Sequence, residues 1–328
     1  MEKGAKAKFV KGLPEEAFGD CGQTASRRAF LKSAMLTAAA AGSGLVASVA
    51  PRPNELPTRK NRIVVGAHLW VYAAKQPGHD ATPVLEQVFA DISYAGLDGV
   101  ELMHNTLMHD DAVERIGGLS RKYKLPVIGT SFGGEMWNRE AHTAILKEAE
   151  VFLPRLARVG GRTLGISVGR APQTKTLGQL DAQAEMVRKL RALARSHGIV
   201  LNLHNHTYEV ENAEHDLRGT LARIPDVKLG PDLNWLLRAG VDPVNFIKRY
   251  GPHIVFLHLR DQKADGKWSE AMGEGDMDYV GIGRALREIN FRGDAVIELA
   301  HEQGFQLTRP LRESLKMSRE FVRQALGF

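Results

Sequence analysis

Cysteine is all but missing from this chain: its one residue, Cys21, lies near the start, and nothing from Pro51 onward has a thiol. Disulfides, cysteine nucleophiles and thiolate zinc sites are therefore excluded from the body of the protein. A large charge of one sign is missing too. The formal charge is +6, but residues 1–50 hold seven Lys/Arg and four Asp/Glu, so the remainder carries 37 basic and 34 acidic residues, a surplus of only +3. No basic run is interleaved with aromatics, which excludes a phosphate-tracking nucleic-acid surface. No Gly-x-Gly-x-x-Gly follows the first strand candidate, which counts against a dinucleotide-binding sheet. No sequence repeat is detectable either.

Near the N-terminus, Ser26-Arg27-Arg28-Ala29-Phe30-Leu31-Lys32 precedes a run of small apolar residues from Ala34 to Ala50 that has no charge. Paired arginines before such a run resemble the twin-arginine signal of bacteria. The resemblance implies the export machinery as a partner and a periplasmic location, with a metal loaded before export. The competing reading is a membrane-anchoring helix, for which the run is only marginally long. Ser48-Val49-Ala50 has the small-x-small form of a cleavage site, but Pro51 hinders a peptidase there, so cleavage stays open. Residues 1–50 are thus read as the signal segment, 51–61 as a linker and 62–328 as one domain, a length that suits an α/β barrel of about 250 residues.

From Arg62 the chain alternates short β-branched runs with longer amphipathic segments, the βαβα pattern of a parallel sheet covered by helices. Strands are expected at 63–67, 99–102, 127–130, 163–168, 200–204, 228–232, 254–258 and 295–299. Helices are expected at 83–94, 112–122, 139–158, 180–197, 243–250, 280–289 and 307–326. Eight βα units in this length predict a closed (β/α)8 TIM barrel, whose function sits at the carboxyl ends of the strands.

Polar residues gather at those ends. Strand two ends in Glu101, strand five in His204-Asn205-His206, strand six in Asp232, strand seven in His258 with Arg260 and Asp261 beyond, and strand eight in Glu298. Asp232, His258 and Glu298, joined by one of His204 and His206, make a mixed nitrogen and oxygen site for one divalent ion, Mn²⁺, Zn²⁺, Co²⁺ or Mg²⁺. His104, just past strand two, reads as surface. Glu135 and Trp137, after strand three, read as cavity wall or as loop packing.

Gly230-Pro231-Asp232, the run from Ile254 to Asp261, Gly273-Glu274-Gly275-Asp276-Met277-Asp278 and Ala295-Val296-Ile297-Glu298 resemble the late strands of the xylose isomerase-like barrel family of sugar isomerases and epimerases. The resemblance spans the whole body and implies metal-ligand roles for Asp232, His258 and Glu298. Strand five departs from it. Many members carry a glutamate there as fourth ligand and base, whereas this chain reads Leu203-His204-Asn205-His206-Thr207-Tyr208-Glu209, similar to a subgroup with a His-Asn-His signature. By position His204 takes the glutamate's place, although alternation puts His206 on the same side of the strand and keeps it open as ligand. Trp235 stands where some epimerases of the family have a substrate-binding histidine.

The chemistry implied is proton abstraction beside a carbonyl, with the ion polarising a keto-sugar or ketoglycoside and Glu298 or His206 moving the proton. Glu101, Arg260, Glu209 and Trp235 are the candidate substrate contacts. The resulting enediolate has three fates, namely epimerisation, isomerisation or β-elimination from a 3-keto-glycoside. A non-catalytic sugar-binding protein is the reading from another class. The partner expected is a small carbohydrate, neutral because no basic cluster marks a phosphate pocket; a homo-oligomer is left open.

Overall fold

In the computed structural model, residues 63–328 are described; the signal segment and linker expected at 1–61 lie outside them. Eight strands run β1 Val65–His68, β2 Val100–Met103, β3 Val127–Gly133, β4 Thr163–Ser167, β5 Val200–Leu203, β6 Lys228–Leu229, β7 Phe256–Leu259 and β8 Asp294–Ile297. All pair in parallel in the order β6-β5-β4-β3-β2-β1-β8-β7. Two isolated parallel bridges, Leu229↔Ile254 and Asp232↔His258, join the β6 and β7 edges. They close the sheet into the expected barrel.

The helices are α1 Trp70–Ala73, α2 Leu85–Tyr94, α3 Ala112–Tyr123, α4 His142–Arg158, α5 Leu177–Ser196, α6 Glu211–Arg223, α7 Leu233–Arg238, α8 Pro243–Tyr250, α9 Tyr279–Glu288 and α10 Leu311–Leu326. Seven match the expected segments, while α1, α6 and α7 are additions. None is long and apolar enough to cross a membrane. The strands are buried almost throughout, as in a parallel sheet covered on its outer face. One continuous aliphatic and aromatic core lies between sheet and helices.

The expected strand at 228–232 is cut to two residues because Pro231 has no N–H to give the ladder. Its carbonyl still accepts from His258 N at 3.0 Å, so Asp232 is registered beside His258. The preceding Gly230 is required by space, since a Cβ there would stand 2.0 Å from Asn202 Oδ1. Helix α6 opens irregularly, with Asn212, Ala213 and Glu214 all left-handed at φ 51°, 57° and 63°. Residues without glycine's freedom pay for that conformation, and here Glu214 is fixed by Arg249 Nη1 at 3.0 Å and Tyr250 Oη at 2.5 Å.

The glycine turn after β7 has a similar logic. Asp261 is buried, and its carboxylate accepts the backbone N–H groups of Gly273 at 2.9 Å, Gly275 at 3.0 Å and Met277 at 3.3 Å. A Cβ on Gly275 would lie 2.3 Å from Asp261 Oδ1 and 2.5 Å from the Gln262 carbonyl oxygen. Gly275→Ala is therefore expected to destabilise the fold by about 1–3 kcal/mol, as overpacking does, read as a lowered midpoint in urea unfolding. An unchanged midpoint would show that the loop yields.

Candidate active site

A cavity of about 460 Å³ opens at the carboxyl ends of the strands, where the βα loops meet. Polar residues of its lining include His68, His204, His206, His258, Arg260 and Glu298, and Trp70, Met103, Phe132 and Trp235 line it as well, with His104 and Tyr208.

Asp232 is fully buried as N-cap of α7, where its Oδ1 accepts from Asn234 N at 2.9 Å and Trp235 N at 3.0 Å. Its Oδ2 has no hydrogen-bond partner among the described residues. The same holds for Nδ1 of His204 and Nδ1 of His258, both shut off from solvent. One ligand atom of each of these three residues lies within 4.8 Å of the others. Buried polar atoms without hydrogen bonds are costly; Oδ2 of Asp232 has only a long ion-pair contact with Arg260, 3.4 Å, and Nδ1 of His258 only one with Glu298, 3.2 Å, and a cation would satisfy the group. The residues fit a metal ion.

His258 is oriented for that task. Its Nε2 faces Glu101 Oε2 at 2.7 Å, leaving Nδ1 toward the cluster and 3.2 Å from Glu298 Oε2. A carboxylate on the far nitrogen is how metal-binding imidazoles are usually held. Burial by itself would lower the His258 pKa, but Glu101, Glu298 and Asp232 outweigh it and push it up to about 9. The proton so held at Nδ1 is the one a cation would displace. His204 moves the other way, well below the usual range, because burial and the neighbouring imidazoles disfavour a charge. For Asp232 burial prevails over the pull of Arg260 and raises its pKa.

Glu298 is held from two sides, by Arg260 Nη2 at 2.7 Å and by the His258 contact. Burial would raise its pKa, yet Arg260, His68 and His258 together bring it to about 2. Arg260 is itself buried, 3.4 Å from Asp232 Oδ2, with its guanidinium against the rings of Trp235 and Trp268.

Across the cavity, at the β4–β5 rim, Ser167 Oγ donates to Glu209 Oε1 at 2.6 Å and also meets Tyr208 Oη at 2.8 Å and His206 Nδ1 at 3.3 Å. Glu209 further accepts from His206 N at 2.7 Å and Val168 N at 3.2 Å. Burial would raise the Glu209 pKa; its bonds with His206 and Ser167 leave it lowered. The polar contacts of the His206 ring run through Nδ1, which leaves Nε2 for the cavity. Burial would depress the His206 pKa, but Glu209 raises it.

Placement of the expected residues is uneven. His204, His206, Trp235, His258, Arg260 and Glu298 line the cavity, whereas Glu101 and Glu209, expected as substrate contacts, are not in its lining: both Glu209 oxygens are bound by Ser167 and His206, and Glu101 meets His258 through Oε2 while its Oε1 has no hydrogen-bond partner among the described residues. His104 is no surface residue: it lines the cavity, edge-on to Phe132 at 4.8 Å, and burial lowers its pKa to about 4. Glu135 and Trp137 stand outside the lining. The sequence reading missed His68, which ends β1, approaches Ser131 Oγ with Nε2 at 3.0 Å and accepts from Trp70 N through Nδ1 at 3.1 Å. Ending strand one a residue early hid it.

The Glu101 contact carries a test. Glu101→Gln keeps the shape but removes the charge that orients His258, so metal affinity is expected to fall by about 10–100-fold, measured by calorimetric titration. Unchanged affinity would show that packing alone holds the ring.

The family model described as "Xylose isomerase-like TIM barrel" matches residues 89–321. The chain belongs to the xylose isomerase-like TIM barrel family. No curated protein matches it in sequence. Among solved structures, it is similar to D-allulose 3-epimerase from Methylomonas sp., at 17% identity and TM-score 0.66, over 81% of this chain and 99% of that one. It is also similar to an L-ribulose 3-epimerase, at 19% identity and TM-score 0.64, over 81% and 95%. A third is 3-keto-D-glucoside 4-epimerase from E. coli, at 19% identity and TM-score 0.63, over 79% and 100%. At these identities the likeness establishes the fold alone.

Proposed function

We propose that this member of the family is a metal-dependent sugar isomerase or epimerase, acting by proton abstraction next to the carbonyl of a keto-sugar or ketoglycoside. The observation that carries the reading is the grouping of His204, Asp232 and His258, one ligand atom of each within 4.8 Å of the others, beside two proton-handling groups, His206 and Glu298. Sugar epimerases among the structural neighbours agree with it.

His204, Asp232 and His258 would hold a divalent ion, which would supply polarisation of the substrate carbonyl and so a more acidic adjacent C–H. The remaining work falls to the protein. Ser167 gives its own proton to Glu209, so its lone pairs can accept the Nδ1–H of His206. That tautomer leaves Nε2 basic and turned to the cavity, which suits His206 to take a proton. Glu298, on the strand opposite β4 in an eight-stranded barrel, is positioned to hold or return one from the other side. Its bond to Arg260 makes it a weak base, which favours His206 for the abstraction. Arg260 is placed to steady a developing oxyanion, and Trp235 to offer an apolar face to a sugar ring.

The reading is tested by incubating the zinc- or manganese-loaded protein in D₂O with free ketohexoses, ketopentoses and 3-keto-glycosides, then following the sugars by NMR. Deuterium entering a carbon beside the carbonyl is the expected result; binding without any exchange would leave only a sugar-binding protein. Export is part of the proposal, resting on Arg27-Arg28 and the uncharged run behind them. Changing both arginines to lysine should hold the protein in the cytoplasm, and undiminished periplasmic protein in cell fractions would refute it.

A further inference from the structure

We infer that Ser131, near the carboxyl end of β3, donates its hydroxyl proton to one oxygen of the bound sugar, and that His68 is the positioning residue that aims it. The inference rests on the reading above that a keto-sugar or ketoglycoside binds here, and adds a specificity-determining contact on the β1–β3 side of the cavity. Its starting point is the tautomer of His68. Only a ring nitrogen without a proton can accept from a main-chain N–H, and Nδ1 of this buried histidine accepts from Trp70 N at 3.1 Å. The single proton of the imidazole then sits on Nε2. Nε2 meets Ser131 Oγ at 3.0 Å, so His68 donates and the serine accepts. Glu298 does not compete for Nδ1: its Oε1 stands 3.7 Å away and is bound by Arg260 Nη2 at 2.7 Å instead.

A hydroxyl has one proton to give. With His68 occupying one acceptor position of Oγ, that proton is directed away from the imidazole, and Oγ makes no other hydrogen bond among the described residues. Both residues line the cavity. On the β1–β3 side Trp70, Met103 and Phe132 make most of the wall, and Ser131 brings the one hydroxyl there among the described residues. Gly165, paired with Ser131 in the β3–β4 ladder, also lines the cavity and adds no side chain to fill it. A sugar oxygen pressed against such a wall gives up water, and a buried oxygen left without a donor is costly. Ser131 is placed to replace that water.

Deuterium exchange in D₂O, on whichever keto-sugar or 3-keto-glycoside the metal-loaded wild-type protein turns over, tests this through KM against kcat. Ser131→Ala is expected to raise KM about 3–10-fold, as loss of one neutral hydrogen bond does. It should leave kcat within about twofold, because the contact is made alike in ground and transition states. His68→Phe, which keeps a ring but loses the N–H, is expected to raise KM in the same direction, and His68→Gln, whose amide offers an N–H in its place, to restore much of the loss. Monodeoxy analogues of the substrate identify the oxygen: one of them should bind more weakly to the wild type yet show no further loss in Ser131→Ala. An unchanged KM in Ser131→Ala, a fall in kcat as large as the rise in KM, or analogue losses that are the same in both proteins overturns the inference while the enzyme reading stands. Should Ser131→Ala fail to fold by circular dichroism, Ser131→Cys keeps the size with only a weak donor and makes the same comparison. Wild-type protein that exchanges no deuterium into any of these sugars overturns the enzyme reading, and this inference with it.

Discussion

Asp232→Asn is expected to reduce bound metal from one ion per chain to less than about a tenth, and to lower turnover by at least ~10³-fold, because it removes the only carboxylate of the ligand set. The substitution separates binding from folding better than alanine would. Oδ1 of Asp232 caps α7 through the N–H groups of Asn234 and Trp235, and asparagine caps about as well as aspartate. The new amide can therefore keep that bond while turning an N–H₂ donor toward the cluster, where Oδ2 had been. Fold stability should change by no more than about 1 kcal/mol, since the same change also relieves a fully buried charge while depriving Arg260 of a partner. Metal content by mass spectrometry and unfolding in urea give the two readouts. Full occupancy in a folded Asp232→Asn protein would remove the metal from the mechanism.

The barrel was legible because its strands are short aliphatic runs spaced by amphipathic segments, and burial on both faces leaves that pattern little ambiguity. The strand ends were legible for the same reason: a histidine or carboxylate closing an apolar run has nowhere to point but the mouth. What could not be read was which side of the wall a side chain takes. Glu101 and His258 both end strands, but only the fold brings Nε2 of one within 2.7 Å of the other's carboxylate, and a contact across 157 residues leaves no local pattern. Glu209 was misplaced similarly, since its bond to Ser167 depends on how the β5 loop folds back on β4. Helix α6 escaped because it starts with a left-handed turn at Asn212–Glu214, which breaks the 3.6-residue period. His68 was hidden by ±1 residue at a strand end, the least certain part of any such reading.

The two histidines of strand five are expected to separate cleanly. His204→Ala should lose the ion, because it removes one of the three residues whose ligand atoms lie within 4.8 Å of one another, and its half-buried ring lines the cavity. His206→Ala should retain the ion and lower kcat by about 10²–10⁴-fold, the usual contribution of a positioned base, with little change in KM, since the interaction is used in the transition state. Geometry supports that division. Nδ1 of His206 is taken up by Ser167 at 3.3 Å and Tyr208 at 3.2 Å, on the side facing Glu209, so the ring is oriented by neighbours rather than by an ion. Ser167→Ala sharpens the test, because it removes one of the two partners of Nδ1, leaving Tyr208, and breaks the Ser167 bond to Glu209 without touching His204. It should reproduce part of the His206→Ala loss in kcat and leave metal content whole. The assay is proton exchange in D₂O on whichever ketose the wild-type protein turns over, run beside metal analysis of each variant. Loss of the ion in His206→Ala with retention in His204→Ala would reverse the roles. Full activity in both would make strand five scaffold and move the proton transfer to Glu298, despite its bond to Arg260.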